Sequence, residues 1–159
     1  MEIRLAGFKY ATKVDSNGKV KNNFSGSPTH LSHIYFAPEV FEKKDHSYEV
    51  DSWSLGCILY ALLVGKSPFV SETIKETLAR IKNHPPVYHN FPPNVGPQAK
   101  SLISKLLQSD PSKRPSVDEM LEDEFMTTGY MPKRLPVSCL TKAPSEFGDF
   151  VGKYVIYGE

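Results

Sequence analysis

A mainly α-helical fold is predicted by three features of the 159-residue sequence. An apolar run from Trp53 to Val64 is long enough for about three helical turns. Leu102, Ile103, Leu106 and Leu107 repeat at the spacing of one helix face. Ser116 stands three residues before Glu119, the spacing of a helix capping box. Strand signals are sparse by comparison, confined to the alternation of Ile3 and Leu5 with charged residues near the start.

Taken in order, residues 1–14 read as a short strand leading into Asp15-Ser16-Asn17-Gly18, a strong turn cluster. Lys19 to Ile34 has no period and carries Ser25-Gly26-Ser27-Pro28, so it reads as a surface loop. Ala37-Pro38-Glu39-Val40-Phe41 fits one helical turn, with Pro38 early, where its missing N–H costs nothing. Ser47-Tyr48-Glu49-Val50-Asp51 then leads into the central helix. Its apolar residues lie on nearly every side, the pattern of a helix inside a fold rather than at its surface. Gly65 ends it.

A second long helix is predicted from Ser71 to Lys82, acid first and base last as the helix dipole prefers. His84-Pro85-Pro86 stops it, and a proline-rich connection follows to Pro97. Gln98–Gln108 is a third helix, broken by Ser109-Asp110-Pro111. A fourth begins at Ser116 and runs to about Phe125. Residues 130–159 read as an extended tail.

Composition narrows the function classes. Lysine and arginine number 19 against 18 acids, a formal net charge of +1, which gives no electrostatic reason to expect nucleic acid or an anionic membrane as partner. The apolar run falls short of the roughly 20 residues that a membrane span needs. Met1-Glu2-Ile3-Arg4-Leu5 lacks the apolar core of a secretory signal, so a cytoplasmic or nuclear address is expected. Cys57 and Cys139 then read as free thiols. Asn23-Phe24-Ser25 matches a glycosylation acceptor only formally.

Three fragments stand together in one order: Gly26-Ser27-Pro28 before Ala37-Pro38-Glu39, then Asp51-Ser52-Trp53-Ser54-Leu55-Gly56-Cys57, then Asp110-Pro111-Ser112-Lys113-Arg114-Pro115. The set resembles the large C-terminal lobe of a eukaryotic protein kinase. Lys43 to Asp51, Leu62 to Phe69, Leu107 to Pro111 and Asp123 to Pro136 are most similar to the polo-like Ser/Thr kinases. The resemblance implies a partial kinase large lobe over 1–129, with a degenerate magnesium motif and activation loop in 1–36 and a helical subdomain in 37–129. It further implies that Glu39 pairs with Arg114, and that Asp51 caps or anchors the central helix.

What the family's chemistry requires is altered or absent in these residues. Phosphoryl transfer needs a phosphate cradle, a lysine, a base and magnesium-binding carboxylates. The 159 residues hold no Gly-rich loop, Val-Ala-Ile-Lys strand or His-Arg-Asp loop. Where the family has Asp-Phe-Gly-Leu-Ala-Thr-Lys, this sequence has Gly7-Phe8-Lys9-Tyr10-Ala11-Thr12-Lys13. Gly7 brings no side-chain oxygen to a metal, and Lys9 adds a repelling cation. In the activation loop Asn23 takes the place of the activating phosphothreonine. Ser27 and Pro28 keep the substrate-platform positions, but eight residues, Thr29–Phe36, separate Pro28 from Ala37, more than the family pattern has.

An inactive, pseudokinase-like fragment is therefore expected, binding neither ATP nor magnesium. The alternative is a piece of a longer, active ATP-dependent kinase of the cell cycle. A lobe without its usual preceding helix leaves part of the central helix uncovered, which implies a protein partner or poor solubility. Centrosome or spindle targeting is implied by resemblance alone.

Other constellations read as ordinary. Asp15 is a solvated turn acid. Ser25, Ser27 and Thr29 are exposed hydroxyls. His30 with His33, and His84 with His89, lack cysteine or acid partners at zinc spacing. Gly148 to Tyr154 is one residue short of a phosphate loop and has no Ser or Thr after its lysine.

Overall fold

A computed structural model of the chain describes residues 6, 8, 11–20, 34–83 and 91–128. The chain divides into two compact units, Ala11–Gly129 on one side and Met1–Tyr10 with Tyr130–Glu159 on the other. Of the second unit only Ala6 and Phe8 are described, so the strand expected at 1–5 and the tail expected at 130–159 lie outside the described residues.

The first unit is helical, and its only extended pairing among the described residues is a single antiparallel bridge between Val20 and His46. The bridge follows a tight turn. Asp15 Oδ1 accepts from the Asn17 and Lys19 amides, and Gly18 takes the positive φ of 74° that a side chain would resist. Six helices are described: α1 Pro38–Phe41, α2 Glu49–Val64, α3 Ile74–Asn83, α4 Pro97–Leu106, α5 Val117–Glu122 and α6 Glu124–Thr127.

The sequence explains most of these boundaries. Pro38 opens α1 behind an extended Ala37. Gly65, left-handed at φ 83°, closes α2 and returns its N–H to the Ala61 carbonyl at 2.8 Å. α3 starts three residues later than Ser71, because the Thr73 hydroxyl accepts from the Glu76 amide at 3.2 Å and holds the first turn there. Pro97 rather than Gln98 opens α4, behind an extended Gly96.

The fourth predicted helix needs correction, because it is two helices. Ser116 and Glu119 form the reciprocal capping box at the start of α5. The chain then leaves helical geometry at Asp123, with φ −62° and ψ 146°, whose carboxylate accepts from the Phe125 amide and caps α6. Lys105 of α4 holds the other oxygen at 2.7 Å. A tertiary ion pair and a local cap together outweigh the continuity suggested by the apolar spacing.

The core lies between α2 and α4. Trp53, Cys57, Phe69, Ile81, Ile103 and Leu107 form the main buried cluster, and Leu102, Leu106 and Met120 form a second, with Leu59 packed against both. Gly56 permits this closeness. A Cβ there would come within 2.8 Å of Leu106 Cβ and 2.9 Å of Leu107 Cδ2. None of the helices is long and apolar enough to cross a membrane, among the described residues.

Candidate functional site

Two features of the helical unit bear on function: a buried ionic hub and a bare helix face. The hub begins with Glu39, set in the first turn of α1 and 5% exposed. An isolated buried carboxylate is costly, so it needs strong donors. Arg114 supplies them from 75 residues away, with Nη1 to Oε1 at 2.6 Å and Nη2 to Oε2 at 2.9 Å, a bidentate pair.

The remaining donors of Arg114 are also taken. Nε donates to the Gln108 carbonyl at 2.8 Å, Nη1 to the Glu49 carbonyl at 2.9 Å, and Nη2 to the Ser109 carbonyl at 3.4 Å. A guanidinium has five N–H groups, and these contacts use them all. No donor is left for a phosphate, so the hub is a clamp rather than a binding site. The guanidinium also lies 5.0 Å from the ring centre of Trp53, which stacks on Phe69 at 5.1 Å.

Cys57 sits inside this hub and is fully buried. Burial pushes its thiol well above the ordinary range, and the positive charge of Arg114 offsets only part of that. A thiol held protonated in this way is no nucleophile. Burial and the neighbouring Cys57 likewise raise the Tyr35 hydroxyl.

The structure brings together Ala37, Pro38, Glu39, Trp53, Gly56 and Arg114, all buried, where α1, α2 and the 111–113 turn converge. Asp51 stands apart. It is exposed in the first turn of α2, and the cap position falls at Tyr48, which makes no side-chain capping bond. The expectation that Asp51 caps the helix is corrected, since a residue three positions inside a helix no longer sits at its mouth. Phe8 is 67% exposed. Gly7, Asn23, Ser27 and Pro28 lie outside the described residues.

Among the described residues no three His, Cys, Asp or Glu side chains converge as a metal set. Asp15 turns an oxygen onto the amides of its own turn.

The second feature was visible in sequence only as a helix apolar on every side. Ser52, Trp53, Gly56, Cys57 and Tyr60 face the core. Opposite them Tyr48, Leu55, Ile58 and Leu62 stand three or four residues apart, or multiples of that, and are exposed, Leu62 to 78%. Asp51 belongs to the same stripe. Val117 and Leu121 of α5 are exposed as well. Ser52 Oγ donates to the Pro115 carbonyl at 2.9 Å, and Leu59 packs against the cluster of Leu102, Leu106 and Met120.

Comparison with known proteins agrees with this arrangement. The protein kinase domain family matches residues 1–126. Serine/threonine-protein kinase PLK1 of Xenopus tropicalis is 49% identical over 144 residues, 91% of this chain and 23% of that protein. Serine/threonine-protein kinase plk-2 of Caenorhabditis elegans is 43% identical over 144 residues, 91% of this chain and 21% of its own length. The probable serine/threonine-protein kinase PLK of Dictyostelium discoideum is 43% identical over 149 residues, covering 92% and 14% respectively. The chain thus spans less than a quarter of these curated relatives. With its motifs in the family's order, its Glu39–Arg114 clamp in place and nearly half its residues shared with such relatives, the chain belongs to the protein kinase family, and within it to the polo-like serine/threonine kinases.

Proposed function

We propose that these 159 residues do not transfer phosphoryl groups and act instead as a protein-binding piece of a kinase large lobe. One observation carries the reading: Gly7 stands where the family's magnesium-binding aspartate stands. Without that carboxylate the position cannot hold the metal ion that neutralises negative charge in phosphoryl transfer. Lys9 makes the local charge worse for a metal. The protein-binding half of the reading rests on the bare face of α2, since an exposed apolar stripe of this kind marks an interaction surface. A cytoplasmic or nuclear address goes with it.

The test is direct. Purified chain, incubated with magnesium and γ-labelled ATP, should leave a generic acceptor protein such as casein unlabelled and show no saturable binding of a fluorescent ATP analogue. Labelled acceptor from material prepared in two unrelated hosts would refute the reading.

A second reading is favoured by the coverage of the relatives, which extend far beyond the matched stretch. In it these residues are part of a longer ATP-dependent serine/threonine kinase of the cell cycle. Isolation of a longer product that phosphorylates an acceptor with Gly7 unchanged would establish it.

A further inference from the structure

We propose that Asn17 is a site of self-modification: its side-chain amide is lost to attack by the Gly18 backbone nitrogen, and the isoaspartate that results unties the pairing of Val20 with His46. The inference goes beyond the reading above and does not depend on it.

The sequence supplies the reactive pair. Of six asparagines, Asn17 alone precedes a glycine, so no side chain on the attacking residue obstructs ring closure. The structure leaves the pair open. Asn17 and Gly18 are exposed, no described residue hydrogen-bonds the Asn17 carboxamide, and even a Cβ built at Gly18 would meet nothing within 4 Å. The Gly18 amide donates to the Asp15 carbonyl at 3.0 Å, but a single bond at the tip of an exposed turn opens at little cost.

The chemistry needs only water besides the chain. The Gly18 nitrogen gives up its proton and attacks Cγ of Asn17. A C–N bond forms, the bond from Cγ to the side-chain nitrogen breaks, and that nitrogen leaves with the proton as ammonia. Water then opens the five-membered imide. Opening at Cγ gives aspartate, and opening at the Asn17 main-chain carbonyl gives isoaspartate, whose backbone runs through the former side chain.

The damage follows from where the extra atom falls. Asp15 closes the turn on itself: its amide donates to the Lys19 carbonyl and its Oδ1 accepts from the Lys19 amide, both at 2.9 Å. Val20 then exchanges both backbone hydrogen bonds with His46, at 2.7 and 3.3 Å. Isoaspartate inserts one backbone atom between residues 17 and 18, inside these turn bonds, and carries Lys19 and Val20 out of register with Asp15 and His46. The bridge is isolated, so no neighbouring ladder holds it in place.

The test ages the whole chain at neutral pH and then cleaves it with trypsin. Cuts after Lys13 and Lys19 release Val14–Lys19, which contains no side-chain amide except that of Asn17. This peptide should gain one mass unit before any peptide carrying another asparagine, faster at pH 8 than at pH 6, and should accept a labelled methyl group from isoaspartyl methyltransferase. The converted chain, separated by its added negative charge, should show amide exchange at Val20 and His46 at least about tenfold faster than the unconverted chain by nuclear magnetic resonance. Asn17→Gln, whose longer side chain closes the ring far more slowly, should keep both amides protected through the same incubation.

Unchanged mass of Val14–Lys19 at the time when a synthetic peptide of that sequence is fully converted overturns the proposal. So does earlier conversion of another asparagine, or a mass gain without methyl acceptance. Conversion that leaves Val20 and His46 exchange unchanged overturns it too, as does loosening of the pair on the same schedule in Asn17→Gln.

Discussion

Arg114 joins three stretches of the chain through one planar group: α1 through Glu39, α2 through the Glu49 carbonyl and the Trp53 ring beneath it, and the residues just after α4 through Gln108 and Ser109. Such a group is worth most where it is driest, since removing one partner strands the other charge without water. Glu39→Gln is expected to cost about 3–5 kcal/mol in urea unfolding. Lys113→Met, which removes an exposed pair with Asp110 at 3.9 Å, should change stability by less than about 1 kcal/mol. Comparable losses for the two would show that burial does not set the strength of the clamp. The pair was readable beforehand only through family resemblance. Nothing in the spacing of two residues 75 apart announces a contact, whereas the carbonyls that complete the arginine's shell leave no mark in a sequence at all.

At the scale of elements, the C-terminal helices are held by carboxylates acting as caps. Asp110 accepts from the Ser112 hydroxyl and amide, Glu119 from Ser116, and Asp123 from Lys105 and the Phe125 amide. Each of these bonds favours the ionised form, and each carboxyl is held below its ordinary range, Asp123 chiefly by Lys105, Asp110 by Ser112 and Glu119 by the Ser116 amide. A lowered folded pKa means that the stabilisation is complete above the unfolded values, about 3.9 for Asp and 4.3 for Glu, and is lost as pH falls through the lower folded ones. Asp123→Asn should therefore lower the melting temperature clearly at pH 6 and progressively less below about pH 4. A difference that stays constant from pH 6 to pH 2.5 would remove the ionised cap from the account. Ser116 and Glu119 could be placed from spacing alone, because a capping box is local. Asp123 could not, because Lys105 reaches it across 18 residues.

Across the whole unit, the two buried clusters meet where α2 crosses α4. Gly56 lies at that crossing, against Leu106 of one cluster and Leu107 of the other. Gly56→Ala would drive a methyl group into the Cβ of Leu106, an atom fixed to its backbone, so the helices must part. A cost of about 1–3 kcal/mol is expected. Far-ultraviolet circular dichroism and the fluorescence of Trp53, the only tryptophan in the sequence, should report the same lowered midpoint, since both clusters loosen together. A fully stable variant would mean that the helices lie farther apart than this packing.

The sequence by itself determined which stretches are helical, to within a few residues outside the break at Asp123, and which family they belong to, because caps, prolines, left-handed glycines and ordered motifs act over a few residues. It also shows a glycine at position 7, which brings no side-chain oxygen, a matter of composition at one position. Only the tertiary structure decided which side of α2 faces outward. Apolar residues surround that helix, so no periodicity in the chain distinguishes a core face from a bare one. The choice is made by Gly56, which lets α4 approach on one side, by Leu59, which packs against the cluster of Leu102, Leu106 and Met120, and by Ser52, which holds the Pro115 carbonyl. Asp51, Leu55 and Leu62 are left facing water for the same reason: they lie opposite the contacts that bury the most surface.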